Sequence, residues 1–222
     1  MELKAENISK KIRGKVILDN IDLTLTSGNV YGFVGRNGSG KTMLFRALSG
    51  LMKIDTGIIY LDDRILGKDF SVLPSLGMII ENTGMYPEYT GFTNLKILAG
   101  IKKIIGKEKI KETLNRVGLL PDDKRTVRKY SLGMKQRLAI AQAIMEKPDI
   151  IMLDEPTNGL DEKGVQLIRE IIAQEKERGA LILLASHSAE DIKQKHLVKL
   201  GQFLCTKSNL HPADALCRAK NV

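Results

Sequence analysis

The eight residues GRNGSGKT, at positions 35–42, have the types and spacing of a phosphate-binding loop. Glycines allow backbone amides to converge on phosphate oxygens, and a helix that begins directly after them adds the positive end of its dipole. Lys41 would place a point charge on the outer phosphates, and the Thr42 hydroxyl would bind Mg²⁺. A glycine turn that only caps a helix would leave both residues unexplained. The candidate binding residues of the loop are Gly35, Arg36, Asn37, Gly38, Ser39, Gly40, Lys41, Thr42 and Met43.

Two adjacent carboxylates, Asp154 and Glu155, follow the apolar stretch IIML. A buried strand that ends in two acids would present them at a sheet edge, beside phosphates held by the loop. We predict that Asp154 binds Mg²⁺, as in other phosphate-loop ATPases. Glu155, pointing the other way along the strand, would orient or deprotonate the attacking water, a role worth roughly 10²- to 10⁴-fold in rate. Two acids at the start of an ordinary loop are the alternative, and the phosphate loop in the same chain disfavours it.

A third segment, YSLGMKQR, precedes this strand and predicts a helix that begins at Ser131. Ser131 can cap the helix and offer a hydroxyl, and Gly133 leaves amide groups open to a γ-phosphate. In this order, the phosphate loop, the serine-led helix and the carboxylate strand resemble the ATP-binding subunit of an ABC transporter. That family usually has LSGGQ here, so Leu132 and Met134 depart from the pattern, whereas Ser131 and Gly133 are kept.

The resemblance implies a head-to-tail dimer that sandwiches two ATP molecules, because the serine-led helix of this family cannot reach the phosphate loop of its own chain. It places Asp161 in the family's D-loop at the dimer seam, although an ordinary helix N-cap is an alternative for this residue and both roles are compatible. It also matches His187, after the apolar stretch ALILLAS, to the switch histidine that reaches the γ-phosphate and helps hold the water.

Two positions depart from the family in an informative way. Glu81 stands where the Q-loop glutamine is expected; a carboxylate there could bind Mg²⁺ or water but lacks the amide donor. We expect Glu81 to couple nucleotide state to the membrane partner. Arg13 takes the place of the aromatic residue that stacks on adenine, which a guanidinium can also do. Solvation of Arg13 at the surface is an equal alternative, so a preference for ATP over GTP is less secure than phosphate binding.

The expected fold is α/β: a phosphate-loop NTPase (RecA-like) core with an N-terminal antiparallel β subdomain and an inserted helical subdomain. Apolar and polar residues alternate in the opening third, and helices alternate with strands after position 130. We predict one ABC ATPase domain over 1–222. Within it, 1–86 and 147–205 form the β subdomain and core, 87–146 the helical subdomain with the signature, and 206–222 a diverged tail.

The resemblance covers roughly Met1 to Lys193 and then fades. In the remaining sequence only LVKLGQFL is typical of a strand. A diverged tail, or one read in a shifted frame, is our hypothesis for this region.

The composition and the lack of targeting motifs indicate the cellular compartment of the protein. The chain of 222 residues is 43% hydrophobic and carries a net charge of +9, and its apolar runs are far shorter than the ~20 residues of a membrane span. Its start lacks the pattern of a signal peptide, and its two cysteines, Cys205 and Cys217, form no CxxC motif that would suggest a zinc site. We therefore expect the cytoplasm as the compartment, and the family resemblance implies a location at the cytoplasmic face of the cell membrane, reached through a permease subunit.

The expected function is ATP hydrolysis by the nucleotide-binding subunit of an ABC transporter, with ATP and Mg²⁺ bound, a transmembrane permease as partner, and a homo- or heterodimer of ATPase subunits. Glu81, the segment MYPEYTGFTNL and the YSLGMKQRL signature resemble the bacitracin and lantibiotic export and immunity branch. That branch implies export of a peptide antibiotic or similar amphiphile.

Two alternatives remain at this point. A soluble ABC-type ATPase acting on nucleic acid or ribosomes would suit the basic charge, but such proteins usually carry two cassettes or a long coiled-coil insertion. With 5% aromatic residues and no tryptophan, we expect no specific nucleic acid partner. A membrane-docked binding module with little turnover is the other alternative, favoured if Arg13 and Glu81 impair catalysis.

Overall fold

The N-terminal part forms an antiparallel sheet. The computed structural model describes residues 1–80, 84–187 and, for the backbone, 197–199. The strands of this sheet are β1 (Glu2–Ile12), β2 (Lys15–Thr26), β4 (Thr56–Leu61) and β5 (Arg64–Ile65), in the order β2-β1-β4-β5. Alternate side chains of a strand point to opposite faces, so Leu3 and Ala5 of β1 are buried on one face. An irregularity in the pairing between Ala5 and Ile8 allows Ile8 to join the same core.

A second, parallel sheet forms the centre of the fold. Its strands are β3 (Val30–Val34), β6 (Leu76–Ile79), β7 (Ile150–Asp154), β8 (Leu181–Ser186) and β9 (Leu197–Lys199), in the order β6-β7-β8-β3-β9. Strand β8 is buried along its whole length, as expected of a parallel strand covered on both faces. Because the strands are parallel, their carboxyl ends lie at one edge, where Val34 pairs with Ser186 and Asp154 with Ala185.

Helices cover both faces of the parallel sheet. They are α1 (Lys41–Ser49), α2 (Gly91–Lys102), α3 (Lys107–Arg116), α4 (Leu132–Ile144) and α5 (Glu162–Glu177), with a short 3₁₀ turn at Val127–Lys129. On one face, Ile150 and Met152 pack with α1 and the antiparallel sheet. On the other face, Ile151 and Leu153 pack with α4 and α5. Because successive side chains of β7 point to opposite faces of the sheet, this strand contributes to both hydrophobic cores.

Helices α2 and α3 form a lobe that packs on α4. The lobe is also linked to α5 by charge. The Glu175 carboxylate, with only 3% of its side chain exposed, accepts a 2.5 Å hydrogen bond from Arg116 at the end of α3 and a 2.8 Å bond from Arg178. The ion pair between Arg116 and Glu175 therefore links α3 of the lobe to α5 of the core.

The structure confirms the expected fold class. The strands and helices foreseen from periodicity are present, but sequence reasoning missed the short strands β5 and β6, the second of which contains Gly77. A Cβ at Gly77 would lie 1.8 Å from the Ala143 carbonyl oxygen. Helix α4 can therefore pack closely against the strand at this position only because glycine has no side chain. Of the predicted strand LVKLGQFL, β9 accounts for the first three residues, and the tail at 206–222 lies outside the described residues. The proposed domain boundaries stay a prediction.

No helix in the described part of the chain combines the length and apolar character needed to cross a bilayer.

Candidate nucleotide site

The phosphate loop connects β3 to α1 in the way its sequence predicts. Gly38 and Gly40 adopt left-handed backbone angles, with φ of 81° and 92°, which favour glycine. A Cβ at Gly40 would also lie 3.1 Å from the Ile17 carbonyl oxygen on β2. The loop closes with a hydrogen bond of 3.1 Å from the Ser39 amide to the Arg36 carbonyl. Asn37 is exposed in the turn between Arg36 and Ser39.

Three features of this loop fit a bound phosphate chain. Lys41 is only 5% exposed, and its ammonium donates to the carbonyls of Gly35 at 2.5 Å and Arg36 at 3.3 Å, so it lies over the loop. The Ser39 hydroxyl oxygen is buried and has no hydrogen-bond partner among the described residues. Helix α1 begins after Gly40 without a side-chain cap, which leaves its first amides available to an anion. Met43, in the first turn, is half-buried.

The Mg²⁺ ligands foreseen at Thr42 and Asp154 meet in the structure. The Thr42 hydroxyl, in the first turn of α1, donates a 2.6 Å hydrogen bond to Oδ2 of Asp154 at the end of β7. Within the described part of the chain, no group of three or more His, Cys, Asp or Glu side chains could hold a metal. A hydroxyl and one carboxylate fit Mg²⁺, because this ion usually takes few protein ligands and completes its shell with phosphates and water. Glu81, the third expected ligand, lies outside the described residues.

Glu155 lies beside this pair in an unusual conformation. Its φ of 49° is left-handed, and its amide donates to the Ala185 carbonyl at 2.9 Å. Strand β7 ends one residue earlier, at Asp154, so this turn, and not the alternation of a strand, sets the direction of the Glu155 side chain. Its Oε2 lies 3.0 Å from Nδ1 of His187 and 3.4 Å from the Ser186 hydroxyl. The two predicted catalytic side chains are therefore in direct contact.

Gln136, which sequence reasoning did not single out, contacts the same residue. Its amide nitrogen donates a 3.0 Å hydrogen bond to the Glu155 carbonyl, which also accepts from the Asn158 amide at 3.2 Å. Gln136 lies in α4 about one turn after Gly133. Its place in YSLGMKQR was the only signal in the sequence. The backbone of Glu155 is thus held by both β8 and α4.

The serine-led helix has the predicted start. Ser131 is the N-cap of α4, and its hydroxyl accepts a 3.2 Å hydrogen bond from the Met134 amide. Leu132 is 65% exposed, and its side chain lies against Gly159, where an added Cβ would come within 2.4 Å of it. A Cβ on Gly133 would lie 3.1 Å from the Gly159 carbonyl oxygen. The signature and the segment after Glu155 therefore form one continuous surface.

The remaining expected residues lie at a helix N-cap and at a hairpin tip. Asp161 is the N-cap of α5 and accepts a 2.9 Å hydrogen bond from the Gly164 amide, which confirms the capping interpretation. Arg13, with φ of 50°, forms with Gly14 the tip of the two-residue hairpin between β1 and β2. Its side chain is exposed and makes no hydrogen bond or ion pair with a described residue. A role for Arg13 at adenine stays a prediction.

Comparisons with known proteins agree with this geometry. The sequence profile of the ABC transporter family matches residues 18–158. The chain is 54% identical over 186 residues to the ABC transporter ATP-binding protein YybJ of Bacillus subtilis, which covers 84% of this chain and 85% of YybJ.

Two further relatives are named for transport. The bacitracin transport ATP-binding protein BcrA of Bacillus licheniformis is 40% identical over 198 residues, covering 86% of this chain but only 63% of BcrA. The lantibiotic transport ATP-binding protein SrtF of Streptococcus pyogenes is 37% identical over 204 residues, covering 91% of this chain and 86% of SrtF.

Among solved structures, the dimeric ABC transporter cassette MJ0796 has the same fold, with a TM-score of 0.77 at 23% identity, covering 90% of this chain and 94% of that one. The family foreseen from the three motifs is confirmed, including the resemblance to bacitracin and lantibiotic transport proteins. The chain belongs to the ABC transporter family, as an ATP-binding subunit with ATPase activity.

Proposed function

We propose that two ATPase subunits, of which this chain is at least one, close around MgATP and drive a transmembrane permease that exports a peptide antibiotic or similar amphiphile. The observation that carries the proposal is the meeting of two pairs at one sheet edge. Thr42 contacts Asp154 at 2.6 Å, and His187 contacts Glu155 at 3.0 Å. The groups to which we assign phosphate binding, metal binding and the direction of water therefore lie close together.

The residues of this chain divide the work of hydrolysis. The loop amides and Lys41 bind the phosphates, and Thr42 and Asp154 would hold Mg²⁺, which neutralises charge on the phosphate oxygens when bound. The Glu155 carboxylate orients the attacking water and accepts its proton as the water adds to the γ-phosphorus and ADP leaves. His187 holds the Glu155 side chain from one side, and we assign it a contact with the γ-phosphate.

The exposed start of α4 supports dimerisation around a shared nucleotide. Ser131 is exposed and Gly133 only half-buried, so this helix start is available to the nucleotide of a second subunit. ATP would then bridge two surfaces while its γ-phosphate is intact, and hydrolysis would release them. Asp161, which follows the Gly159 segment that contacts Leu132, would lie near the seam between the subunits.

The permease and the cargo are inferred from the relatives. BcrA and SrtF are named as bacitracin and lantibiotic transport proteins. We extend that class of cargo to this chain, together with a location at the cytoplasmic face of the membrane. Glu81 would connect nucleotide state to the permease; unchanged transport-linked hydrolysis in Glu81→Gln would contradict this role. The alternative of a soluble ATPase acting on nucleic acid has no support from these relatives.

The test begins with the chain purified from its native membranes in mild detergent, together with the integral membrane subunit that accompanies it. We expect phosphate release from MgATP that is stimulated by bacitracin-like or lantibiotic-like peptides after reconstitution into vesicles. A complex carrying Lys41→Ala is the matched control and should neither hydrolyse ATP nor respond to peptide. If none of these peptides changes the rate of hydrolysis, the proposed cargo is wrong. If hydrolysis is negligible, the alternative of a binding module with little turnover is favoured.

A further inference from the structure

Helix α2 has an apolar strip on the side that faces away from the core. Ile97, Ile101 and Ile104 are 40%, 74% and 62% exposed. Because Ile97 and Ile101 are four residues apart, they lie on one side of the helix. Ile104 follows the helix end at Lys103 by one residue and extends the exposed apolar surface. We call these three residues the isoleucine strip. The opposite side of α2 is buried through Gly91, Asn94, Leu95 and Ala99.

The surface beside the strip is open. A Cβ added to Gly100 would meet no atom within 4 Å. A surface helix normally places polar residues opposite its core-facing stripe, whereas a helix that is apolar on both sides is normally covered on both. Helix α2 is covered on one side only, so its outer side offers apolar surface to a binding partner.

Lysines surround the isoleucine strip. Lys96, Lys102, Lys103 and Lys107 are all exposed, and the sequence contains no acidic residue between Glu88 and Glu108. Lys102 pairs with Glu146 at 3.1 Å. The other three lysines form no ion pair with a described residue. The strip is therefore bordered by uncompensated positive charge, which attracts an anionic partner.

We propose that this surface contacts an anionic lipid bilayer, with the isoleucine strip entering the interface and the lysines binding headgroups. Long lysine side chains can keep their ammonium groups at headgroup level while their stems cover apolar surface. Lysine clusters near a membrane bind anionic lipid, and apolar side chains add to that binding. Three isoleucines are few for a stable protein interface, which buries about 800 Å² on each partner. This contact is independent of ATP hydrolysis and of the permease.

Flotation with lipid vesicles tests the proposal on the full, purified chain. We expect the protein to float with vesicles made of equal parts phosphatidylglycerol and phosphatidylcholine, and not with phosphatidylcholine alone. Added salt should reduce binding, because it screens the lysines. The double variant Ile101→Ser/Ile104→Ser should bind at least about tenfold more weakly, since each CH₂ withdrawn from the interface weakens binding. Its rate of ATP hydrolysis without vesicles should match the wild type, which verifies its folding.

Matched controls separate this surface from general stickiness. Leu120→Ser removes a leucine that is 73% exposed on the same lobe but lies near Asp122, and it should leave flotation unchanged. Lys96→Glu/Lys107→Glu and Lys53→Glu/Lys68→Glu each lower the net charge by four, two at each position. Only Lys96→Glu/Lys107→Glu should abolish flotation.

Three results would overturn the proposal: a wild-type chain that does not float, isoleucine variants that float normally, or equal losses for the two lysine pairs. If the wild type fails to float but the isoleucine variants lose the permease in detergent, the surface binds protein and the lipid assignment is wrong.

Discussion

The Thr42 hydroxyl lies 2.6 Å from Oδ2 of Asp154, although the two residues are 112 positions apart in the sequence. Thr42 is in the first turn of α1, and Asp154 is the last residue of β7. Because β3 and β7 run parallel in one sheet, the helix that follows β3 starts at the edge where β7 ends. The contact therefore sets the distance between the phosphate loop and the candidate metal ligand.

Replacing Asp154 by Asn should remove Mg²⁺-dependent binding while preserving the fold, because the amide keeps the shape of the carboxylate but not its charge. We expect ATP to bind equally well with and without Mg²⁺ in Asp154→Asn, and hydrolysis to fall by at least about 10²-fold. Titration of a fluorescent ATP analogue with Mg²⁺ or with a chelator measures the difference. Thr42→Ser, which keeps the hydroxyl, should respond to Mg²⁺ as the wild type does; an Mg²⁺ response retained in Asp154→Asn would contradict the assignment.

Glu155→Gln should bind ATP but hydrolyse it roughly 10²- to 10⁴-fold more slowly, because an amide cannot accept the proton of the attacking water. With MgATP it should accumulate as a closed dimer, seen as a doubled mass by size-exclusion chromatography with light scattering. Lys41→Ala should stay monomeric, since it lacks the charge that binds the outer phosphates. A monomeric Glu155→Gln saturated with MgATP would disprove the shared nucleotide.

Gln136→Leu should slow hydrolysis about tenfold with little change in KM. The left-handed backbone at Glu155 costs about 1–3 kcal/mol, and the Gln136 amide is one of the groups that hold it. A hydrogen bond at the upper end of the usual range, about 1.4 kcal/mol, corresponds to that change in rate. Steady-state phosphate release separates kcat from KM. Gln166→Leu makes the same change on the exposed face of α5 and should leave both constants unchanged, so equal effects in the two variants would remove the special role of Gln136.

Arg116→Leu should lower the free energy of unfolding by about 1–3 kcal/mol, because it leaves one oxygen of the buried Glu175 carboxylate without its partner. Arg178 still pairs with the other oxygen, which limits the loss. Urea denaturation followed by circular dichroism measures the change. Lys4→Leu disrupts an exposed pair with Glu6, which water screens, and should cost less stability than Arg116→Leu. If the two variants lose the same stability, the link between α3 and α5 is not a stabilising contact.

Much of the fold was predictable because its signals are local. The alternation in β1 and β2, the continuous apolar residues of β7 and β8, and the caps at Ser131 and Asp161 each depend on neighbours within a few positions. Strand β6 was missed because its local signal is weak. It has only four residues, and its Gly77 is explained only by the close approach of α4.

The sequence by itself determined the chemistry available to this protein: a glycine loop with Lys41 and Thr42, two acids after an apolar strand, and a serine-led helix, because residue type and spacing are enough to specify each motif. Only the tertiary structure decided how these groups meet. The parallel order of the strands brings Thr42 to Asp154, and a left-handed turn directs Glu155 toward His187. Gln136 joins the catalytic turn to the signature helix through packing of α4. Such contacts join residues far apart in the chain, so they depend on the folded backbone and not on any local pattern.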